Sequence, residues 1–129
     1  MRGAWQGRSG QSGKNMLTKR QAYLATFYYL DRIYDETRDE NLGNLLSSMN
    51  PFLFLNSLSA DPAIWIDWTM CVEKVTKKTK LSEQEAFTVM IVFLDFNQVE
   101  FSSVINKVQS AGADENWKAS MLQARLQQN

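Results

Sequence analysis

The chain has no histidine and one cysteine, Cys71, among its 129 residues. Without histidine, a Ser–His or Cys–His nucleophile pair cannot form, and neither can a histidine-ligated metal site. A single cysteine cannot form an internal disulfide, so the sequence is compatible with a reducing compartment. These absences remove common designs of hydrolases and metalloenzymes, and we predict a protein that is not an enzyme and uses no cofactor.

Long apolar runs and an excess of one charge are also missing. No window approaches the roughly 20 apolar residues of a membrane helix, and the N-terminus lacks the apolar segment of a secretory signal. Fourteen basic residues balance fourteen acidic ones, whereas proteins that bind nucleic acid through its phosphates normally carry a basic excess. We therefore expect a cytoplasmic protein that binds neither membranes nor nucleic acid.

The composition that remains, 44% hydrophobic and 22% charged residues, is typical of a globular domain. Residues 1–15 hold four of the six glycines, which predicts a flexible tail from cloning or from an upstream start codon. A nucleic-acid-binding arm is the alternative. Three basic residues and no acid lie in this tail, so residues 16–129 carry eleven bases against fourteen acids, a net charge of −3. We predict one domain over residues 16–129.

Helical periodicity fills the first half of this domain. Thr18 and Gln21 have the spacing of a capping box, which predicts a helix that ends near Thr37. A second, short helix is predicted to begin at Asp39 or Glu40. The expected inward faces of the two helices are Ala22, Tyr23, Thr26, Phe27, Leu30, Ile33 and Tyr34, then Leu42, Leu45, Leu46 and Met49.

Two further features of the first half suggest close packing and a third helix. Gly43 lies inside the second helix at a cost of about 1 kcal/mol relative to alanine, so another element is expected to pack closely there. Asp61 and Pro62 have the residue types of an N-cap and a first helical position. The helix that follows is predicted to bury Ile64, Trp65, Trp68, Cys71, Val72 and Val75. Lysines gather at its end: Lys74, Lys77, Lys78 and Lys80. The favoured interpretation is a solvated C-terminus whose positive charges complement the helix dipole, and the alternative is a phosphate-binding patch.

The second half repeats part of the first. Alignment of Leu17 with Leu81 places a second capping box, Ser82 with Glu85, on the first one. The same alignment pairs residues along the helices: Ala22 with Ala86, Tyr23 with Phe87, Tyr29 with Phe93, Leu30 with Leu94 and Asp31 with Asp95. This run indicates an internal duplication. The second copy is apolar nearly all round, which predicts that it is the central buried helix.

The remaining residues predict two more helices. One begins near Gln98, ends at Gly112 and faces inward with Phe101, Val104, Ile105 and Val108. The last begins at Asp114 and faces inward with Trp117, Met121, Leu122 and Leu126. No strand with convincing alternation is present. The prediction is an all-α, compact bundle of five to six helices, built from two related helical hairpins.

Acidic residues at the end of the first helix form the one dense group of chemically active side chains: Asp31, Asp35, Glu36, Asp39 and Glu40. Asp31 and Asp35 lie one helical turn apart, so together they could bind Mg²⁺ in a metal-dependent hydrolase. Metal sites in helical bundles draw ligands from several helices, and this chain offers no second such pair. A solvated face and a partner-binding acidic patch are the other interpretations. Because Asp95 repeats Asp31, Asp31 is interpreted as a helix-surface or structural acid, and the working surface is placed at residues 35–41.

The tryptophans of the third helix admit two interpretations. Trp65 and Trp68, beside Asp67, have the composition of an interface hot spot and also the spacing of a core stripe. We favour the core for both, with Asp67 exposed. Cys71 falls on the same buried face without a basic neighbour placed to lower its pKa, which argues against a reactive thiol.

A further indication comes from similarity to a known family. The chain contains, in order, the runs LTKRQAY, DENLGNLLSSM and ADPAIWIDW. This series resembles small, all-helical bacterial immunity-like proteins of polymorphic-toxin and contact-dependent growth inhibition systems. The similarity covers residues 17–75. It departs from the family pattern in the loop at residues 50–59, which is longer and more apolar in this chain. The matching positions are Asp39, Glu40, Leu42, Gly43, Leu45, Leu46, Met49, Asp61, Pro62, Trp65, Asp67 and Trp68.

The resemblance implies a protein that neutralises a cognate toxin, expected to be a nuclease, by covering it with an acidic surface. The predicted partner-binding residues are Asp35, Glu36, Asp39, Glu40, Asn41 and Asp67. Charge reversal at the first four is expected to weaken binding while leaving thermal stability nearly unchanged. The alternatives are a self-associating helical protein that uses residues 52–55, and the metal-dependent hydrolase described above.

Overall fold

The structure, a computed structural model, describes residues 16–50, 62–100, 102, 104–106 and 113–127. It is an all-α bundle with one miniature sheet, which confirms the predicted fold class. None of the described helices is long and apolar enough to cross a membrane. Besides helical residues at 102 and 104–106, the elements in order are β1 (Leu17–Thr18), α1 (Lys19–Thr37), α2 (Glu40–Met49), α3 (Pro62–Val75), β2 (Lys80–Leu81), α4 (Glu83–Phe96) and α5 (Ala113–Gln127).

The predicted capping boxes begin α1 and α4. The Thr18 hydroxyl accepts a hydrogen bond from the Gln21 N–H at 3.0 Å, and the Gln21 side chain accepts one from the Thr18 N–H at 2.9 Å. Ser82 and Glu85 form the same pair of bonds at 3.0 and 2.9 Å. The hydrogen bond that the Ser82 N–H donates to the Glu85 carboxylate holds the pKa of Glu85 below its usual value. Both predicted helix starts are therefore confirmed.

A two-residue sheet joins the starts of the two copies. β1 and β2 are antiparallel, with Leu17 opposite Leu81 and Thr18 opposite Lys80. The two leucines on which the duplication is aligned thus lie opposite each other, and both are fully buried. A strand pair this short has no alternating pattern, which is why the sequence did not predict it.

The central helix is α1, and the prediction that α4 would be central is wrong. α1 contacts α2, α3 and α4, and its contact with α5 is the most extensive between any two of the elements described above. Leu24, Ala25, Tyr28 and Tyr29 are buried in addition to much of the predicted seam. On α4, Ile91 and Phe96 are exposed despite being apolar. Burial depends on which elements surround a helix, and composition alone does not report that.

Helix α2 buries the whole face predicted for it, and α3 buries four of its six predicted residues, with Trp65 and Val75 half-buried. The residues of α2 expected to face inward, Leu42, Leu45, Leu46 and Met49, are all buried. The Tyr23 hydroxyl donates a hydrogen bond of 2.6 Å to the Met49 carbonyl, which satisfies a C-terminal acceptor of α2. On α3, Trp68 is fully buried, whereas Trp65 is half-buried. Asp61 and residues 52–55, with the self-association surface predicted there, lie outside the described residues.

The inward face of α5 differs from the prediction. Trp117 and Met121 are buried, but Leu122 and Leu126 are 58% and 65% exposed. Leu122 follows Trp117 by five residues, which rotates it about 140° around the helix axis from that side chain. Ser120 and Ala124, which have small side chains, are buried instead. Of the helix predicted between residues 98 and 112, Val104 and Ile105 are buried. Phe101 and Val108 are outside the described part of the chain.

Removal of either N-cap should destabilise the bundle measurably. We expect Thr18→Ala and Ser82→Ala each to lower the free energy of unfolding by about 1 kcal/mol, because each leaves a backbone N–H without its acceptor. Urea unfolding followed by circular dichroism measures this change. Thr88→Ala is the control, since Thr88 is an exposed residue inside α4. A loss in this control as large as in the cap variants would contradict the assignment.

Candidate functional site

The junction of α1 and α2 brings four acidic residues to one end of the helical hairpin. α1 ends at Thr37, Arg38 takes a left-handed conformation with φ of 55°, and α2 begins two residues later. This tight turn places the last turn of α1 beside the first turn of α2. We call the resulting surface the acidic patch. It consists of Asp35, Glu36 and Glu40, which are exposed, and Asp39, which is half-buried.

The carboxylates of the acidic patch form no close ion pairs with other described residues, although Arg38 lies in the same turn. Within the described residues, none of the four takes part in an ion pair; those observed join Lys78 to Glu85 and Arg125 to Glu83. The guanidinium of Arg38 lies over the ring of Tyr34, with its carbon 5.3 Å from the ring centroid. The patch therefore presents negative charge to solvent.

Asp39 has a structural role in addition to its charge. Its side chain accepts a hydrogen bond of 2.9 Å from the Leu42 N–H and so caps α2. Its own N–H donates to the Thr37 hydroxyl at 3.3 Å. Because loss of a cap costs about 1 kcal/mol, we now expect charge reversal at Asp39 to lower stability, in contrast to the other three acids.

The other two predicted partner-binding residues are Asn41, in the first turn of α2, and Asp67, on α3. Asn41 is exposed and lines a cavity of about 340 Å³ together with residues of α2, Ile64 and the two residues that follow α4. Asp67 is half-buried on α3, not exposed as expected. No hydrogen bond or ion pair of the described residues joins Asp67 to the acidic patch. Five of the six predicted residues thus lie at the junction of α1 and α2, and Asp67 lies on α3.

Cys71 lies in the core beneath the surface of α3. Burial raises the pKa of its thiol, and Asp67 raises it further. Lys74 lowers that pKa, so the expectation that no basic neighbour would do so is wrong, but burial has the larger effect. A raised pKa leaves less thiolate, which is the nucleophilic form. These interactions favour the inert thiol that the sequence predicted.

A groove of about 370 Å³ runs between α1 and α2 next to the acidic patch. We call it the first groove. Its floor is set by Gly43, because a Cβ atom at that position would lie 2.8 Å from Cε1 of Tyr34. This confirms the close packing predicted at Gly43. The lining residues are Phe27, Asp31, Tyr34, Glu40, Gly43, Asn44, Leu46, Ser47 and Asn50.

Asp31 is an exposed helix-surface acid, as the sequence predicted, and it also lines the first groove. Partial burial raises the pKa of its carboxyl, the nearby Asp35 raises it further, and Arg32 lowers it. Both main effects disfavour the ionised form. Asp31 is thus a carboxylate whose charge is incompletely compensated.

A second groove, of about 680 Å³, lies at the corresponding position of the other copy. Its wall contains Ile91, Asp95 and Gln98, which the alignment of Leu17 with Leu81 pairs with Phe27, Asp31 and Tyr34. The remaining described lining residues are Val92, Val99, Glu100 and Ser102. The duplicated helix therefore lines a groove in both halves of the chain. At the paired positions, only the first groove has aromatic rings.

No group of three or more metal-ligating side chains is present within the described ranges. The metal-dependent hydrolase based on Asp31 and Asp35 gains no third ligand from them and stays a prediction. The sequence did not identify Phe27, Tyr34, Asn44 and Ser47 as site residues. A signal was available, since helical spacing aligns the first two with Asp31 and the other two with Glu40.

Comparison of this chain with protein-family models, curated proteins and solved structures found no match. Inference about function therefore depends on the chain's own residues and on their arrangement.

Proposed function

We propose that this protein is a protein-binding module, and specifically an immunity protein that neutralises a nuclease toxin by covering it with the acidic patch. The observation that carries the proposal is the set of four carboxylates at one end of the α1–α2 hairpin, free of ion pairs within the described residues. Asn41 extends this surface. In this proposal the protein meets its toxin in the cytoplasm.

The physical argument is charge complementarity. A nuclease binds the phosphates of its substrate through basic side chains, so an acidic surface competes for the same groups. Opposite charges on two proteins also steer their encounter and raise the association rate, which matters for an inhibitor that must act before its target does.

The rigidity of the patch favours binding as well. The Asp39 cap and the hydrogen bond of 2.7 Å from the Arg38 N–H to the Tyr34 carbonyl fix the turn between the helices. Gly43 allows α2 to pack directly against Tyr34. A surface that is ordered before binding loses less conformational entropy when the complex forms.

The test is a triple variant that removes charge from the patch but retains the cap: Asp35→Asn, Glu36→Gln and Glu40→Gln. We expect affinity for the toxin to fall about tenfold or more, mainly through slower association and with a smaller salt dependence. The melting temperature should stay unchanged, because all three side chains are exposed. The gene immediately upstream is the place to look for the partner. If it encodes a large secreted protein with a variable C-terminal domain, that domain is the binding partner to use, with growth protection as a second readout.

A matched control changes net charge by the same amount elsewhere. Glu73, Asp95 and Glu115 are exposed acids outside the patch, so Glu73→Gln, Asp95→Asn and Glu115→Gln form this control. Equal weakening by both triple variants would show that net charge, and not the patch, governs binding. If the patch variant keeps full affinity, the acidic-patch mechanism is wrong; if the toxin domain does not bind the unmodified protein, immunity is wrong. Asp39→Asn tests the fourth charge separately, because asparagine caps a helix about as well as aspartate.

A further inference from the structure

We infer that the first groove receives an arginine side chain of the protein partner. The inference rests on the proposed function, because it names the group that the acidic surface would hold. The triple variant changes none of the residues that line the first groove except Glu40, which belongs to both the acidic patch and the groove. The two ideas can therefore fail separately.

The walls of the first groove are two rows of side chains with the same helical spacing. Phe27, Asp31 and Tyr34 form the row on α1. Glu40, Asn44 and Ser47 form the row on α2. Residues three and four positions apart share one face of a helix, so each row lines the groove along about two turns. Each row contributes one carboxylate.

The charge of the first groove selects a cation. Neither Asp31 nor Glu40 has an ion-pair partner within the described residues, and the two carboxylates face the same cavity. The raised pKa of Asp31 indicates that its negative charge lacks full compensation. A positive group in the groove supplies that compensation and would stabilise both ionised carboxylates.

The aromatic rings favour arginine over lysine. A planar guanidinium stacks on aromatic faces and offers five N–H donors, which suit the two carboxylates and the side-chain oxygens of Asn44 and Ser47. The ring of Tyr34 already holds a guanidinium in this molecule, that of Arg38, at 5.3 Å. Arg38 itself does not line the groove.

The second groove supplies an internal comparison. Asp95 keeps the carboxylate of Asp31, but Ile91 and Gln98 replace the two aromatic residues. If a carboxylate alone were sufficient, both grooves would bind arginine. The proposal instead requires the rings, so binding should occur at the first groove.

The experiment is a titration of the complete protein with Nα-acetyl-arginine amide, followed by nuclear magnetic resonance. We expect saturable shifts at the backbone amides of Asn44 and Ser47 and at the ring of Tyr34, with a dissociation constant in the millimolar range. The neutral citrulline analogue should give no such shifts, and the lysine analogue should bind at least threefold more weakly. Free L-arginine should bind no more tightly, because the acidic groove repels its carboxylate.

Matched variants test which side chains carry the binding. Asp31→Asn is expected to weaken binding of the arginine probe at least fivefold, whereas Asp95→Asn, the equivalent change in the second groove, should leave it unchanged. Phe27→Ile combined with Tyr34→Gln installs the second-groove residues and should weaken binding similarly. The amide spectrum of each variant reports whether its fold is intact. Should the double variant not fold, Phe27→Ile alone makes the same test and should weaken binding at least twofold.

Several results would overturn the proposal. These are unchanged arginine binding by Asp31→Asn, equal binding of the lysine or citrulline analogue, tighter binding of free L-arginine, or no saturable shift up to about 100 mM probe, where affinity is negligible. The titration uses no toxin. Arginine binding without toxin binding would refute immunity and keep the groove, and the opposite result would refute the groove alone.

Discussion

Replacement of Trp68 by alanine is expected to lower the free energy of unfolding by about 3–5 kcal/mol, a large part of the stability of a domain this size. Trp68 is fully buried, and its ring packs edge-on against Tyr23 at 5.7 Å and Phe93 at 5.3 Å. Its indole N–H donates to the Lys19 carbonyl at 3.1 Å. The substitution thus removes contacts among α1, α3 and α4 together. Urea unfolding, followed by circular dichroism, measures the loss.

Trp65→Ala is the matched control for this prediction. Trp65 lies on the same helix and also packs edge-on against Tyr23, at 5.3 Å, but it is only half-buried. Less apolar surface returns to water when it is removed, so its loss should be clearly smaller. A cost for Trp65→Ala equal to that of Trp68→Ala would contradict the assignment of Trp68 as the core residue of the pair.

Local signals in the sequence were sufficient to predict most helix limits. Thr18 and Ser82 specify helix starts because their side chains accept hydrogen bonds from the first N–H groups of the helix, which have no carbonyl acceptor within it. The face of α2 follows from spacing in the same way, since residues three and four positions apart share one side of a helix. These signals depend on neighbours in the chain, which the sequence contains directly.

Long-range packing was not predictable by the same means. α4 is more apolar than α1, yet α1 is the central helix because more of the described elements pack against it. Leu122 and Leu126 are apolar and exposed, while Ser120 is polar and buried. The hydroxyl of Ser120 donates to the Asn116 carbonyl at 2.8 Å, which offsets the cost of burying it. In each case the deciding contact joins residues that are distant in the sequence or depends on helix rotation.

The candidate site divides in a similar way. The acidic patch was predictable because one short turn joins its residues. The double role of Asp39 and the half-buried state of Asp67 depend on geometry that charge patterns do not contain. The first groove depends on how closely α1 and α2 approach. Glu40 belongs to both the acidic patch and the first groove, so under our proposals one surface would steer a basic partner and also orient it.

Gly43→Val should be the second most damaging of the substitutions considered, with an expected loss of about 2–3 kcal/mol from overpacking. A Cβ atom at this position would lie 2.8 Å from Cε1 of Tyr34, so the ring must move or the helices must separate. Arg38 lies over the same ring, which restricts that movement. Because Tyr34 lines the first groove, the variant should also bind the arginine probe more weakly. Thermal or urea unfolding measures the first effect, and the titration measures the second.

The control for Gly43→Val is the same substitution in a protein that already carries Tyr34→Ala. Without the ring, the valine meets no steric obstacle from Tyr34 and has a better helix propensity than glycine, so the change should lie within about 0.5 kcal/mol of neutral. The difference between the two backgrounds is then a coupling of about 2 kcal/mol between residues 34 and 43. An equal cost in both backgrounds would mean that Gly43 is needed for something other than the approach of Tyr34. The floor of the first groove would then have to be explained by different contacts.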